Sequence, residues 1–214
     1  MIDYRKFRLS KLNTPEYRHL LMLIFWVVYG IVFLLLERVP GRTYHPVYVP
    51  LDDKIPFCEY FLIPYLLWFV LLAGIHIYTL LFDIRLFKKL MWFIIITYSF
   101  TTLVYIIYPT MQELRPVSFE RDNIFTRFMG WFYNFDTNTN VCPSLHVVGA
   151  MAVLFAGWRG EHLKKPVIRA LLIVVTVFIC LSTVFLKQHS VIDVAAALAL
   201  CVAAYPIAFK CSKV

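Results

Sequence analysis

The residue types that handle phosphorus chemistry recur in this chain where one apolar run gives way to the next. His189 and Asp193 stand four apart at the start of the last apolar run. On a helix that spacing puts both side chains on one face, within reach of a hydrogen bond. A carboxylate on one imidazole nitrogen fixes the tautomer and leaves the other nitrogen free as a nucleophile or base. Taken alone, the pair is weak evidence and reads more readily as two polar groups solvating a helix start. Two further stretches at such boundaries shift that balance: Cys142-Pro143-Ser144-Leu145-His146 and Arg115-Pro116.

The elements that must position these groups are set by composition. Of 214 residues, 61% are hydrophobic and 16% charged, against about 45–50% apolar and about 25% charged in soluble domains. The chain therefore reads as an integral membrane protein, and its length as one domain spanning residues 1–214. A net charge of +8 does not argue for a nucleic-acid partner, because its distribution follows the membrane sides. Five scattered cysteines (Cys58, Cys142, Cys180, Cys201, Cys211) offer no metal-ligand spacing. Cys180 and Cys201 read as small core residues, and a Cys58–Cys142 disulfide stays open.

Six apolar runs are legible: Leu20–Leu36, Phe57–Phe82, Leu90–Tyr108, Pro143–Trp158, Ala170–Leu186 and Val191–Phe209. Each is near the ~17–25 residues that a spanning helix needs. Pro64 and Pro206 read as kinks, and Asp83–Lys89 as a short charged turn. Residues 1–19, with Arg5, Lys6, Arg8, Lys11 and Arg18, read as a basic cytoplasmic segment lying on the membrane surface. Between the third and fourth runs, Ile124, Phe128, Trp131, Phe132 and Phe135 recur at helical spacing, with Arg121, Asp122 and Arg127 breaking the hydropathy. That pattern predicts an interfacial helix rather than a span. The fold expected is all-α: six transmembrane helices and one interfacial helix.

Six crossings put both termini on one side. Seven of the 21 basic residues (Arg38, Arg42, Lys54, Arg115, Arg121, Arg127 and Lys187) then fall on the opposite side. The excess of positive charge places the termini in the cytoplasm. Arg115, Ser144, His146 and His189 consequently converge at the outer face, where ionisable groups at helix ends point to function.

The chemistry they imply is phosphoryl transfer. Pro143 suits the first turn of the fourth helix, whose free amides and dipole favour an anion. Ser144 adds a hydroxyl, and Arg115 a planar fork that matches phosphate oxygens. His189, oriented by Asp193, attacks phosphorus; His146 protonates the leaving oxygen. No carboxylate or cysteine cluster calls for a metal, and no cofactor is implied, so the positive groups stabilise the charge themselves. His76 reads as a packing residue of the second span. Asp83, Glu113 and Asp136 read as residues that solvate loops.

These three stretches resemble the type 2 phosphatidic acid phosphatase superfamily, whose motifs run Lys-x6-Arg-Pro, Pro-Ser-Gly-His and Ser-Arg-x5-His-x3-Asp on a six-helix core. Arg115-Pro116 matches the end of the first motif, Pro143-Ser144-Leu145-His146 the second except for its glycine, and Ser182, His189 and Asp193 the third. Tyr108 occupies the first-motif lysine position and Thr183 the third-motif arginine position, so two phosphate-gripping cations are replaced. The Pro-Ser-Leu-His form is similar to that of inositol phosphorylceramide synthases. The resemblance implies a lipid phosphate substrate in the bilayer, hydrolysed at the outer face of a plasma or inner membrane through a phosphohistidine on His189. Ser182 and Tyr108 would join Arg115 and Ser144 around the phosphate. Lys187 would replace the absent arginine in part. Transfer of a phospho-headgroup between lipids is the first alternative, and an inactive lipid-binding member the second. Neither the individual lipid nor the oligomeric state follows from the sequence.

Overall fold

A computed structural model describes residues 4–211. The helices are α1 (Ile24–Leu36), α2 (Leu62–Phe82), α3 (Ile84–Ile107), α4 (Ile124–Phe135), α5 (Leu145–Arg159), α6 (Pro166–Phe185) and α7 (Val191–Tyr205). Two-residue strands β1 (His45–Pro46) and β2 (Thr110–Met111) pair in parallel and tie the α1–α2 connection to the α3–α4 connection. They are the one departure from an all-α chain among the described residues.

Five helical stretches are long and apolar enough to cross a membrane: Arg18–Leu36, Glu59–Phe82, Ile84–Ile107, Pro166–Phe185 and Val191–Lys210. The chain is an integral membrane protein. The fourth expected span is shorter than read, because α5 has 15 residues. At 1.5 Å per residue it measures about 22 Å, against a hydrocarbon core of about 30 Å. Its start is cut by Ser144, an extended N-cap whose Oγ accepts the Val147 amide at 3.5 Å. Pro143 therefore lies ahead of the helix and not in its first turn.

What α5 lacks in length it makes up in burial. Val147, Val148, Gly149, Ala150, Ala152, Val153, Ala156 and Gly157 are all buried. Small residues let helix backbones approach closely inside a membrane bundle. A Cβ on Gly149 would come within 2.5 Å of the Trp68 indole of α2, and one on Gly157 within 2.7 Å of Leu172 of α6. The outer faces carry the exposed apolar residues, among them Val27, Ile31 and Leu35 of α1, Ile63 and Val70 of α2, and Leu171 and Val174 of α6.

Several local expectations are corrected. The charged stretch after Asp83 is helical: Asp83 Oδ1 accepts the Leu86 amide at 3.0 Å and caps α3, which carries Arg85, Lys88 and Lys89 in its first turns. Pro64 stands in the first turn of α2, where its missing N–H costs little. Pro206 marks the change from α7 to a π-helical turn, Pro206–Cys211. The described part of the basic N-terminal segment is docked, not merely laid on a surface. Tyr17 and His19 are buried, and the Tyr4 hydroxyl donates to the Leu80 carbonyl at 2.9 Å. Cys58, Cys142, Cys180 and Cys201 are free thiols, so the Cys58–Cys142 disulfide is not formed.

Candidate active site

The turn between α6 and α7 is held by four independent anchors. The amides of Gln188 and His189 both donate to the Thr183 carbonyl, at 2.9 and 3.0 Å. Ser190 caps α7, and its own amide donates to Asp193 Oδ2 at 3.0 Å, a reciprocal capping box. The same Asp193 oxygen meets His189 Nδ1 at 3.1 Å. Asp193 is fully buried and carries this bond at the i,i+4 spacing. With Nδ1 protonated toward the carboxylate, Nε2 of His189 keeps its lone pair. Finally, Asp52 reaches in from the α1–α2 connection: Oδ2 accepts from Ser190 Oγ at 2.6 Å and Oδ1 from the Val191 amide at 2.9 Å. Asp52 is a site residue that sequence reasoning missed. Nothing in its local pattern distinguishes it from the adjacent Asp53.

The start of α5 is brought to this turn by backbone. The Ser144 amide donates to the Asp193 carbonyl at 3.2 Å, and the Tyr105 hydroxyl to the Pro143 carbonyl at 2.7 Å. His146 then sits in the first turn of α5, between the rings of Tyr65 (centroids 4.3 Å apart) and Trp68 (4.5 Å). Its centroid is 6.1 Å from that of His189, and its Nε2 is buried without a partner. Both imidazoles line one cavity of about 220 Å3, walled by aromatic residues of α1, α2 and α3 and by the 136–141 segment. Glu37, the C-cap residue of α1, holds the 137–140 part of that wall. It accepts from Asn140 Nδ2 at 2.6 Å and from the Thr137 hydroxyl. Burial raises the Glu37 carboxyl pKa, an effect these hydrogen bonds oppose.

Other candidate residues are placed elsewhere. The Arg115 fork is occupied by protein: Nη1 donates to the carbonyls of Tyr133 (3.0 Å) and Asp136 (2.8 Å), and Nη2 to the Thr137 carbonyl (2.9 Å) and Gln188 Oε1 (2.6 Å). Its Nε alone lacks a partner. Arg115 thus holds the end of α4 against the α6–α7 turn, instead of offering an open two-pronged grip. Lys187 points away from the cavity, its ammonium donating to the Asp52 carbonyl at 2.7 Å. Burial lowers its pKa, while Asp52 and Asp53 act the other way. Tyr108 is exposed and stacks on His45 at 4.0 Å. The Ser182 hydroxyl is spent on the Ile179 carbonyl at 2.6 Å, inside its own helix. Neither Tyr108 nor Ser182 lines the cavity.

Two residues take their places. Gln188 lines the cavity with its Nε2 unpartnered while its oxygen holds Arg115. Asp136, read from sequence as a solvated loop residue, also lines the cavity. Burial raises its carboxyl pKa, while Arg115 and His189 pull it back down. Cys142, beside Asp193, has its thiol pushed up to about 12 by burial and by that carboxylate. Around the cavity, the buried polar atoms of Tyr65, Trp68, Tyr98, Asn140, His146 and Gln188 all lack partners among the described residues. Buried polar atoms are normally satisfied by protein or ordered water, so this ring leaves donors and acceptors to be met from inside the cavity by water or a polar ligand.

A family model described as the PAP2 superfamily matches residues 89–213, more than half the chain. No curated protein and no solved structure matches it.

Proposed function

The chain belongs to the PAP2 superfamily, and from that premise we propose that it is a lipid phosphatase acting through a phosphohistidine on His189. The observation that carries this reading is the bond from His189 Nδ1 to the buried Asp193, with His146 facing the same cavity. His189 Nε2 attacks phosphorus, and the ester bond to the lipid oxygen breaks. His146 supplies that oxygen with a proton. Asp193 stabilises the cationic imidazole and keeps its tautomer. Water, deprotonated by His146, then attacks the phosphohistidine and frees phosphate. The Gln188 amide and the first-turn amides of α5 supply donors for the phosphoryl oxygens.

In the bilayer we take α5 as a sixth, thinly spanning helix shielded by its neighbours, with both termini cytoplasmic and the cavity toward the outer face. The charge asymmetry supports that orientation. Helix α4 lies in the interface. Ile124, Trp131 and Phe135 are exposed along one stripe, while Met129 and Phe132 turn toward Tyr65 and Leu186.

A second reading replaces water with a lipid alcohol, making the enzyme a phosphotransferase. It is favoured by the absence of any Lys or Arg from the cavity lining, since a phosphomonoester dianion is poorly served there. Phospholipid labelled with 32P at phosphorus separates the two. Released water-soluble label, as inorganic phosphate or a phospho-headgroup, supports hydrolysis, and a new labelled lipid supports transfer. Label should be trapped on the protein in either case. Full activity in His189→Ala would remove the mechanism.

A further inference from the structure

The cavity pairs one carboxylate with a wall of aromatic rings, and that pairing is odd for a site meant to hold only phosphate. Trp26, Tyr29 and Tyr98 stand edge-on to one another: centroids are 5.2 Å apart for Trp26–Tyr98, 5.0 Å for Tyr29–Tyr98 and 6.2 Å for Trp26–Tyr29. Across the space, Tyr65 and Trp68 flank His146. All five rings line the cavity together with Asp136. The Asp136 main-chain carbonyl is taken by Arg115, but its carboxylate accepts no hydrogen bond from any described residue. Among the described residues, Asp136 and the two histidines are, the tyrosines aside, the only ionisable side chains on the lining, and Arg115 stands behind the wall with its fork filled.

Charge then decides which ligand fits. A phosphomonoester carries about −1.5 to −2 at pH 7 and would meet one free carboxylate and no lining cation. Repulsion between like charges grows as water is excluded. A phosphodiester carries one negative charge, and a headgroup that ends in an ammonium brings one positive charge to match Asp136. Ring faces present the negative side of their quadrupole, which attracts a quaternary or primary ammonium. We propose that this cavity is a headgroup subsite for phosphodiester lipids bearing an ammonium group, with Asp136 as the specificity-determining residue and Trp26, Tyr29 and Tyr98 as its aromatic wall. The inference rests on the proposed phosphoryl chemistry at His189 and names the substrate class that this chemistry serves. The ammonium sits at the Asp136 end and the phosphorus at His189, so the headgroup stays on phosphorus when the bond to the lipid oxygen breaks, and water or a lipid alcohol then takes the whole phospho-headgroup from His189 in place of the free phosphate that a monoester would yield.

The test uses the full chain in a detergent without choline, with choline and its neutral isostere 3,3-dimethyl-1-butanol as probes in titration calorimetry. Choline should bind at least about tenfold more tightly than the isostere, a gap of about 1.4 kcal/mol or more. Asp136→Asn should abolish that preference, and Asp136→Glu, which keeps the charge, should retain it. Equal binding of the two probes by the native protein would overturn the proposal without any variant, as would an unchanged preference in a folded Asp136→Asn. His189→Ala should still prefer choline while losing lipid turnover. Loss of the choline preference in that variant would count against a subsite separate from the reacting group. A native protein that prefers choline yet forms no phosphoenzyme would defeat the proposed reaction and leave the subsite standing.

Discussion

The hydroxyl of Ser190 and the carboxylate of Asp52 lie 2.6 Å apart across 138 residues of sequence. The contact joins the α1–α2 connection, which lies outside the family-matched residues 89–213, to the turn that carries His189. Asp52 is only 2% exposed and also accepts from the amides of Val49 and Val191, each at 2.9 Å. The orientation of His189 therefore depends on a segment that contributes no described group to the cavity lining.

Asp52→Ala should consequently unsettle the turn. It leaves the Ser190 hydroxyl and two amides without their acceptor; the hydroxyl is fully buried and costs about 1–3 kcal/mol, while the two amides are only part-buried and add less. Thermal unfolding in detergent should show a loss on the order of 2–4 kcal/mol, accompanied by reduced turnover. Asp52→Asn, which keeps one acceptor oxygen, should fall between. A native-like melting point and rate in Asp52→Ala would show that the turn holds without it.

His189 and Asp193 should respond unequally. Removing the nucleophile in His189→Ala should abolish turnover. Asp193→Asn keeps an oxygen for the Ser190 amide but loses the charge and the enforced tautomer, and should slow the reaction by about 10^2 to 10^4. Single-turnover kinetics with 32P lipid would read both, and an Asp193→Asn rate within threefold of native would refute the orienting role.

Lys187 is where the structure changes an expectation. By sequence Lys187, two residues before His189, is expected to replace in part a missing phosphate-binding cation. The backbone at Lys187 has a φ of 52°, and its ammonium bonds to the Asp52 carbonyl. Lys187→Gln should therefore keep the rate within about threefold and act through stability alone. A loss above tenfold, with the melting point unchanged, would restore the phosphate-binding role.

Orientation is open to a direct measurement. Val117, in the α3–α4 connection, and His162, between α5 and α6, are both exposed. In intact cells a membrane-impermeant thiol reagent should add label to Val117→Cys relative to the parent, and none to His162→Cys. The reverse pattern would put the cavity on the cytoplasmic side.

Much of this architecture was legible in the sequence for simple physical reasons. Apolar runs of spanning length, basic residues gathered at alternate connections and the four-residue step from His189 to Asp193 are all local patterns. A helix converts local spacing directly into a shared face.

Tertiary structure decided what each polar group spends its hydrogen bonds on. Arg115 stands beside its motif proline, yet four protein acceptors fill its fork. Ser182 keeps its motif position and bonds to its own helix. Asp136 and Gln188 belong to no spacing pattern, yet they reach the cavity because α4 ends beside the α6–α7 turn. Asp52 looks like Asp53 in sequence and differs only in what lies above it. Spacing along one element is written in the chain; contact between elements distant in sequence is a property of how their buried faces pack. That packing, through Gly149 against Trp68 and Trp68 against His146, determines which polar atoms are left to meet a ligand.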